Sequence, residues 1–301
     1  MKHLFIINPA AGSHDRTKEY SVTIHEICSA RGLDYRIEVS KAPGECTRIA
    51  REAAQTGEEV RIYACGGDGT LNEVVTGVAG FDNAAVTVFS GGSGNDFVKV
   101  FGGAEKFMDI EKLLTAPTRK LDLLKVGDRY SVNVVNFGFD TTVAITINKE
   151  RDKTGHGGKS AYTKGVITAL LTSMRNKFTV AADGEVLNAD GKALLCTVAN
   201  GQYVGGSFKC APRAKTDDGL IEVCLVKPIS RIRFVTILGT YTEGKHLDEP
   251  KMRDIVVYRQ AKKVEITAPE GFAYSLDGEI IYENKFTVEI VPGALDLAVP
   301  E

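Results

Sequence analysis

The sequence predicts two domains: an α/β domain with a parallel sheet in residues 1–121 and a β-rich sandwich in residues 122–301. In the first part, short apolar runs alternate with helical patterns, an order typical of a parallel sheet with helices on its faces. In the second part, strand-like runs follow one another across turn signals such as Asp183-Gly184 and Asp218-Gly219. The last strand, which ends at residues 297–299, could return to the first domain, and the sequence does not decide between the two domains.

The elements of the first domain follow in order along the chain. Apolar runs predict strands at residues 4–7, 35–39, 60–64 and 85–89. Helical spacing of apolar residues predicts helices at residues 17–31, 45–54 and 71–79. Ligands of such sheets bind beyond the carboxyl ends of the strands, so the loops that follow the strands are the first place to seek a site.

The elements of the second domain are mostly strands. They are predicted at residues 121–126, 130–137, 178–182, 193–199, 220–226, 263–268, 272–276 and 286–291. Two helices, at residues 159–175 and 229–242, interrupt them.

Composition excludes several classes of protein. The net charge of −2 leaves no basic surplus for binding nucleic acid. The first apolar run is too short for a signal peptide, and no run approaches the length of a spanning helix, so we expect a cytoplasmic chain without a transmembrane segment. The six cysteines form no CxxC pair, which favours buried thiols over disulfides or a zinc site.

Three glycine-rich loops follow predicted strands. They are the run Asn8, Pro9, Ala10, Ala11 and Gly12, the run Gly66, Gly67, Asp68, Gly69, Thr70, Leu71 and Asn72, and the run Gly91, Gly92, Ser93, Gly94, Asn95 and Asp96. Small residues let backbone N–H groups approach phosphate, and a following helix N-terminus adds a favourable dipole. Each loop alone could be an ordinary turn, but three at one sheet edge predict a triphosphate site.

The aspartate in the second loop gives this site a further requirement. An ionised Asp68 beside phosphate would be repelled unless a cation lay between them. Mg²⁺ is the natural candidate because it binds through carboxylates, water and nucleotide phosphates. The loop matches neither the Walker pattern nor the dinucleotide-binding GxGxxG.

Two turns in the second domain carry further carboxylates. Asp277-Gly278 is a hairpin signal, and with Glu279 it offers two carboxylates that could take a proton from an alcohol. Asp217 and Asp218 form a pair that could bind a hard cation with backbone carbonyls, although the sequence alone favours a solvated turn at the start of a strand.

Together these motifs resemble the diacylglycerol-kinase catalytic-domain family, in particular its soluble bacterial lipid kinases. The likeness rests on residues 8–12, 66–73, 93–97, 211–220 and 276–279, which occur in the family's order over nearly the whole chain. It implies an N-terminal domain like those of phosphofructokinases and NAD kinases, then a sandwich that holds the acceptor lipid, with ATP in the cleft between them.

The resemblance also implies roles for single residues. The nucleotide would be lined by Asn8, Pro9, Ala10, Ala11, Gly12, Ser40, Gly66, Gly67, Asp68, Gly69, Thr70, Leu71, Asn72 and Ser93. Asp68, supported by Asp96, would work with catalytic Mg²⁺, and Asp277 or Glu279 would be the general base. A structural Mg²⁺ would be held by Lys215, Asp218 and Leu220. The third loop departs from the family's usual PxGTxND, because it reads Gly91-Gly92-Ser93-Gly94-Asn95-Asp96.

The sequence therefore predicts an ATP- and Mg²⁺-dependent lipid kinase, with diacylglycerol, which would give phosphatidate, as the first choice of acceptor. The alternatives are a kinase of another lipid or of NAD, and a silent nucleotide- or lipid-binding regulator. Such a kinase must touch a membrane surface transiently. The sequence does not decide whether the protein is a monomer or a homodimer. The candidate contact is a set of basic residues around a glycine-rich loop, which an ordinary solvated basic face explains at least as well: Lys149, Arg151, Lys153, Lys159 and Lys164.

Overall fold

The computed structural model of the chain describes residues 1–12, 14–91, 94–154, 159–206 and 208–301. Its helices are α1 (Thr17–Ala30), α2 (Glu45–Gln55), α3 (Asp68–Val78), α4 (Ile110–Thr115), α5 (Phe139–Thr154), α6 (Lys159–Thr172) and α7 (Arg231–Thr242), with short 3₁₀ turns at Phe97–Phe101, Ala104–Met108 and Pro250–Met252.

The strands fall into an N-terminal and a C-terminal group. The first comprises β1 (Lys2–Ile7), β2 (Tyr35–Val39), β3 (Val60–Gly66), β4 (Ala84–Ser90), β5 (Thr118–Val126) and β6 (Arg129–Ser131). The second comprises β7 (Val134–Gly138), β8 (Asn176–Lys177), β9 (Thr179–Ala182), β10 (Glu185–Val186), β11 (Lys192–Ala193), β12 (Leu195–Ala199), β13 (Ile221–Val226), β14 (Val256–Ala261), β15 (Lys263–Thr267), β16 (Ala273–Leu276), β17 (Glu279–Tyr282) and β18 (Lys285–Ala298).

The N-terminal part is a parallel sheet with the order β4-β3-β1-β2. Every residue of β3 is buried, as expected of a central parallel strand with both faces covered. Helices α2 and α3 pack closely, because a Cβ on Gly77 of α3 would lie only 2.6 Å from the Thr47 carbonyl oxygen of α2. Because β4, β3 and β1 are neighbouring parallel strands, their carboxyl ends lie side by side, and each is followed by one of the glycine-rich loops.

The long strand β18 joins this sheet to the C-terminal part. Its first half pairs antiparallel with β15, whereas Asp296 and Leu297 pair in parallel with β4. It also runs antiparallel to β5 along much of its length, with a register shift between Val291 and Leu295. At this bulge the N–H of Gly293, whose φ is +61°, donates to the Asp122 carboxylate at 2.8 Å.

The C-terminal part is a sandwich. Its second sheet, in the order β14-β13-β12-β7-β16-β17, is antiparallel throughout. The core between the sheets is aromatic: the Phe137 ring packs edge-on against Phe178 and Phe286 from the facing sheet. Helices α5, α6 and α7 cover the other face of the second sheet, where Phe139 and Phe234 lie 4.7 Å apart between ring centroids.

The predicted fold class, a parallel α/β domain followed by a β-sandwich, is confirmed. All six cysteines are buried free thiols. Over the described part of the chain, no helix has both the length and the apolar character needed to cross a bilayer.

Several element boundaries differ from the predictions. The strand predicted at residues 130–137 is two strands, β6 and β7, separated by Val132 and Asn133. The predicted helix 71–79 begins earlier, at Asp68, because the glycine-rich loop already takes helical geometry there. Helix α5 was not predicted at all: its first turns are rich in β-branched residues, which favour strands. There the hydroxyls of Thr141 and Thr142 donate to the carbonyl oxygens of Asn136 and Gly138.

Candidate active site

The first two glycine-rich loops are joined by side-chain hydrogen bonds. Asn8, directly after β1, donates from Nδ2 to the Thr70 hydroxyl at 3.0 Å. Its Oδ1 accepts the N–H of Ala10 at 3.0 Å, which shapes the turn through Pro9 and Ala11. Thr70 is buried at the start of α3, so it is fixed in place by its surroundings. The pair holds the loop after β1 and the loop after β3 as one unit.

The first and third loops approach each other at backbone distance. Gly12 has φ +83°, and a Cβ there would lie 2.6 Å from the carbonyl oxygen of Gly91. Gly91 N–H in turn donates to the Gly66 carbonyl oxygen at 2.9 Å. Gly12 and Gly91 are needed here because a side chain at either position would collide with neighbouring atoms. All three loops thus converge, as the sequence predicted for residues at one sheet edge.

Asp68 lies in the middle of this convergence. Its Oδ1 accepts the N–H groups of Asp96 at 2.8 Å and Phe97 at 3.4 Å. Burial raises the pKa of Asp68 to about 7, and the nearby charges of Asp96 and Asp277 add to the shift. Its Oδ2 faces Gly94, where a Cβ would come within 2.8 Å of that oxygen. A carboxylate with one oxygen anchored and negative neighbours fits a site that takes a cation.

Asp96 links the third loop to the second domain. Both of its carboxylate oxygens accept the N–H of Gly206, at 3.0 and 3.1 Å. The ammonium of Lys99 contacts the same carboxylate and also the carbonyl oxygen of Gly206. Asp96 therefore joins the two domains as well as raising the charge density near Asp68.

Asp277 accepts hydrogen bonds from both sides of the cleft. Its Oδ1 accepts from the Ser131 hydroxyl at 2.7 Å and from the N–H groups of Asn133 and Val134, at 3.2 and 2.8 Å. Its Oδ2 accepts from Asn72 Nδ2 and the N–H of Val132, both at 2.9 Å. A carboxylate has about four lone-pair sites, and these five donors occupy them. Burial raises the pKa of Asp277, and the hydrogen bonds act in the opposite direction.

Glu279 lies two residues further, on the other side of the tight turn. Asp277 has φ +48° and Gly278 has φ +97°, so the turn between β16 and β17 is built for these residues. Glu279 opens β17 opposite Leu276, and its side chain is exposed. The same turn therefore presents one partly buried carboxylate that accepts five hydrogen bonds and one carboxylate that is exposed to solvent.

The segment that begins at Ser40 is fixed at both ends, and one of the residues that fix it, Glu73, was not given a role by the sequence analysis. The Ser40 N–H donates to the Ile7 carbonyl oxygen at 2.9 Å, at the end of β1. Glu73, on α3, accepts the N–H of Gly44 at 2.9 Å and that of Cys46 at 3.1 Å, which fixes the start of α2. Glu73 could be noticed in the sequence because it ends the glycine-rich run. Its role could not be predicted, because its hydrogen-bond partners lie 27 and 29 residues away.

Other predicted nucleotide residues differ in what they can offer. Leu71 is buried in the core of the first domain, so only its backbone can serve the loop. Gly67 precedes α3 with extended geometry, and Gly69 is exposed. Ser93 lies outside the described residues.

The predicted structural metal site is a surface turn. Asp218 is exposed, and its Oδ1 accepts the Leu220 N–H at 3.1 Å. Asp122 N–H donates to the Thr216 carbonyl oxygen at 2.7 Å, which ties the turn to β5. Over the described ranges, no cluster of three or more His, Cys, Asp or Glu side chains could hold a metal. A cation here would depend on one carboxylate and on carbonyl oxygens such as those of Lys215 and Leu220, a donor set that suits a hard ion.

Comparison with known proteins assigns both halves of the chain. Residues 2–126 match the model of the diacylglycerol kinase catalytic domain, and residues 133–299 match the YegS C-terminal NAD kinase beta sandwich-like domain. A protein of Chromohalobacter salexigens named "Probable lipid kinase YegS-like" is 32% identical over 90% of this chain and 85% of its own. A Bacillus subtilis protein named diacylglycerol kinase is 28% identical over 91% of this chain and 88% of its own.

A solved structure supports the same architecture. A crystal structure titled as a diacylglycerol kinase from Bacillus anthracis covers 100% of this chain and 97% of its own, with a TM-score of 0.72. At 22% identity this likeness bears on the fold alone. With a catalytic-domain model over the first half, a YegS-type model over the second and relatives named as lipid kinases, the chain belongs to the diacylglycerol-kinase catalytic-domain family.

Proposed function

We propose that this protein is an ATP- and Mg²⁺-dependent lipid kinase that transfers the γ-phosphoryl group to a lipid hydroxyl, with diacylglycerol as the first acceptor to test. The observation that carries the proposal is the position of Asp68. It lies where three glycine-rich loops converge, and Asn72, on the helix that Asp68 begins, donates to the Asp277 carboxylate of the second domain at 2.9 Å. These contacts support a single site made of phosphate-binding loops and an acceptor-side carboxylate.

The nucleotide would lie along the converging loops. The N–H groups of the first turn of α3, from Asp68 to Thr70, would receive the phosphates, and the loop of residues 8–12 would line the same site. Thr70, Asn8 and Ser40 supply polar groups at the same edge. Asp68 would hold Mg²⁺ through the oxygen that faces Gly94, and Asp96 would add negative charge nearby. The bound ion would offset the charge of the triphosphate.

We propose Glu279 as the general base and Asp277 as the residue that positions it. A base needs a lone pair for the incoming proton, and the five donors around Asp277 occupy its oxygens. Glu279 is exposed at the end of the same turn. In the reaction its carboxylate would take the hydroxyl proton while the acceptor oxygen attacks the γ-phosphorus. The bond to the β–γ bridging oxygen breaks, and ADP leaves.

The experiment is a transfer assay with γ-labelled ATP and a panel of acceptors that includes diacylglycerol, other lipid alcohols and NAD. The wild-type chain should label a lipid and require Mg²⁺. Labelling of NAD alone would overturn the lipid assignment, and ATP binding without any labelled product would favour a silent regulator.

Two matched variants separate the roles of the turn carboxylates. Glu279→Gln should lower kcat by about 10²–10⁴-fold, because an amide cannot take up the proton. The free energy of unfolding should be unchanged, because the side chain is exposed. Asp277→Asn should lower both activity and the free energy of unfolding, because an amide cannot accept all five hydrogen bonds. Normal turnover by Glu279→Gln would return the role of base to Asp277.

We also propose that the turn carrying Asp218 holds a structural Mg²⁺ through its carboxylate and the carbonyl oxygens of Lys215 and Leu220. Asp218→Ala should then reduce the thermal stabilisation that added Mg²⁺ gives in the absence of nucleotide. Equal stabilisation of the variant and the wild-type chain would remove this site from the proposal.

A further inference from the structure

The solvent-facing sides of α6 and α7 each carry two large aliphatic side chains among polar and charged residues, although helices on a protein surface normally expose polar side chains there. On α6, Ile167 is 53% exposed and Leu171 is 66% exposed. On α7, Ile232 is 81% exposed and Val235 is 65% exposed. We call these four side chains the α6–α7 patch. Single exposed apolar residues are common on proteins, whereas several large ones exposed together mark an interaction surface.

A hydrogen-bonded contact brings the two helices together at the patch. Arg231, the first residue of α7, donates from Nε to the Leu170 carbonyl oxygen at 2.6 Å and from a terminal nitrogen to that of Leu171 at 3.1 Å. The end of α6 and the start of α7 are therefore neighbours.

The opposite faces of both helices are well packed. Phe234, Ile237 and Tyr241 of α7 and Ala169 of α6 are buried. The exposed side chains of the patch are thus not a sign of helices that fail to pack. A shallow, open depression continues along α6 between Thr163, Ile167 and Thr168.

The chain segments that carry the patch are basic. Residues 159–181 contain four Lys or Arg and no Asp or Glu, and residues 223–242 contain three Lys or Arg and no Asp or Glu. The whole chain, by contrast, has a net charge of −2. Two of these cations are paired from outside the segments, Lys164 with Glu150 and Arg233 with Asp254. An apolar surface within a local basic surplus fits the boundary between acyl chains and anionic headgroups.

We propose that the α6–α7 patch docks this protein on the surface of an anionic lipid bilayer. The proposal rests on the proposed lipid kinase function, because a lipid acceptor is delivered from a bilayer. It moves the expected membrane contact from the basic residues near 149–164 to the two helix faces. A second copy of the chain is a poorer occupant, because a symmetric dimer would bring the two basic segments of each copy together.

The test is sedimentation of the full chain with vesicles of phosphatidylcholine, with and without phosphatidylglycerol. The wild-type chain should bind the anionic vesicles, and added salt should weaken that binding. The double variant Leu171→Gln/Ile232→Gln should bind at least about tenfold more weakly, since two aliphatic side chains no longer enter the interface. Val22→Gln, which removes an exposed apolar residue of α1, is the matched control and should bind like the wild-type chain.

The outcomes separate this surface from the catalytic proposal. If the double variant binds vesicles like the wild-type chain, or the wild-type chain binds none, the surface is wrong even where a detergent-dispersed lipid is phosphorylated. If vesicle binding depends on the patch but no lipid is labelled, the surface stands and the kinase proposal fails. If the wild-type chain is a dimer that the double variant dissociates while vesicle binding is unchanged, the patch is a subunit interface and the proposal is overturned.

Discussion

Replacing Asp68 with asparagine should stabilise the protein while it removes activity. In the folded chain, burial and the charges of Asp96 and Asp277 raise the pKa of Asp68 from 3.8 to about 7. The folded state therefore binds this proton more tightly than the unfolded chain does. The favourable contribution is complete below about pH 4 and is lost as the pH rises through about 7. At about pH 8 the ionised Asp68 is a cost of folding that an amide would not have.

The size of the effect follows from the two pKa values. The interval from 3.8 to about 7 corresponds to about 4 kcal/mol once the group is fully ionised. The amide oxygen of asparagine can still accept the N–H groups of Asp96 and Phe97, although more weakly than a carboxylate. We therefore expect Asp68→Asn to raise the free energy of unfolding by about 2–4 kcal/mol at about pH 8 and to leave it nearly unchanged at about pH 4.

The assay is urea denaturation of both chains at the two pH values, followed by circular dichroism. Glu279→Gln is the matched control, since it neutralises an exposed carboxylate of the same cleft and should not change the pH dependence. Mg²⁺ with ADP should stabilise the wild-type chain more than Asp68→Asn, because the cation offsets the Asp68 charge. Equal stabilities of the variant and the wild-type chain at about pH 8 would refute the reasoning.

Three further substitutions test how the first domain supports the site. Gly77→Ala should lower the free energy of unfolding by about 1–3 kcal/mol in urea titrations, because its Cβ would lie 2.6 Å from the Thr47 carbonyl oxygen. Glu73→Gln should raise the KM for ATP severalfold with little change in kcat, since Glu73 fixes the segment that follows Ser40; a change in kcat alone would contradict this. Arg61→Met should destabilise the chain by about 1–3 kcal/mol on heating, because its guanidinium donates to three carbonyl oxygens at the end of α4.

The parts that the sequence predicts well are those with local causes. The glycine-rich loops follow β1, β3 and β4 as expected. Strand ends and glycine turns are determined by a few neighbouring residues, so the local sequence is enough to predict them. The turn at Asp277 and Gly278 was also predictable, since both residues take positive φ there. Local patterns thus located the loops and turns, and the roles of their side chains stay predictions.

What could not be predicted depends on partners that are far apart in sequence. Asp277 accepts N–H groups from residues 143 to 145 positions earlier, so nothing near it shows that its oxygens are occupied. The composition of α5 favours a strand, and only its packing against the second sheet makes it a helix. The exposed aliphatic side chains of α6 and α7 are far apart in sequence. They lie on neighbouring helices because Arg231 of α7 donates to carbonyl oxygens at the end of α6.

The strand β18 limits how the cleft can open. It pairs with β15 in the sandwich and with β4 in the N-terminal domain, so one strand, with a bulge between Val291 and Leu295, belongs to both halves. A hinge of the kind found in kinases whose domains are joined by a flexible linker would have to break these hydrogen bonds. The bulge at Gly293, whose N–H donates to the Asp122 carboxylate, interrupts the pairing of β18 with β5 and is the point at which we expect β18 to bend. Because both domains share this strand, we expect substrates to enter and leave through movement of the loops around the cleft and not through separation of the domains.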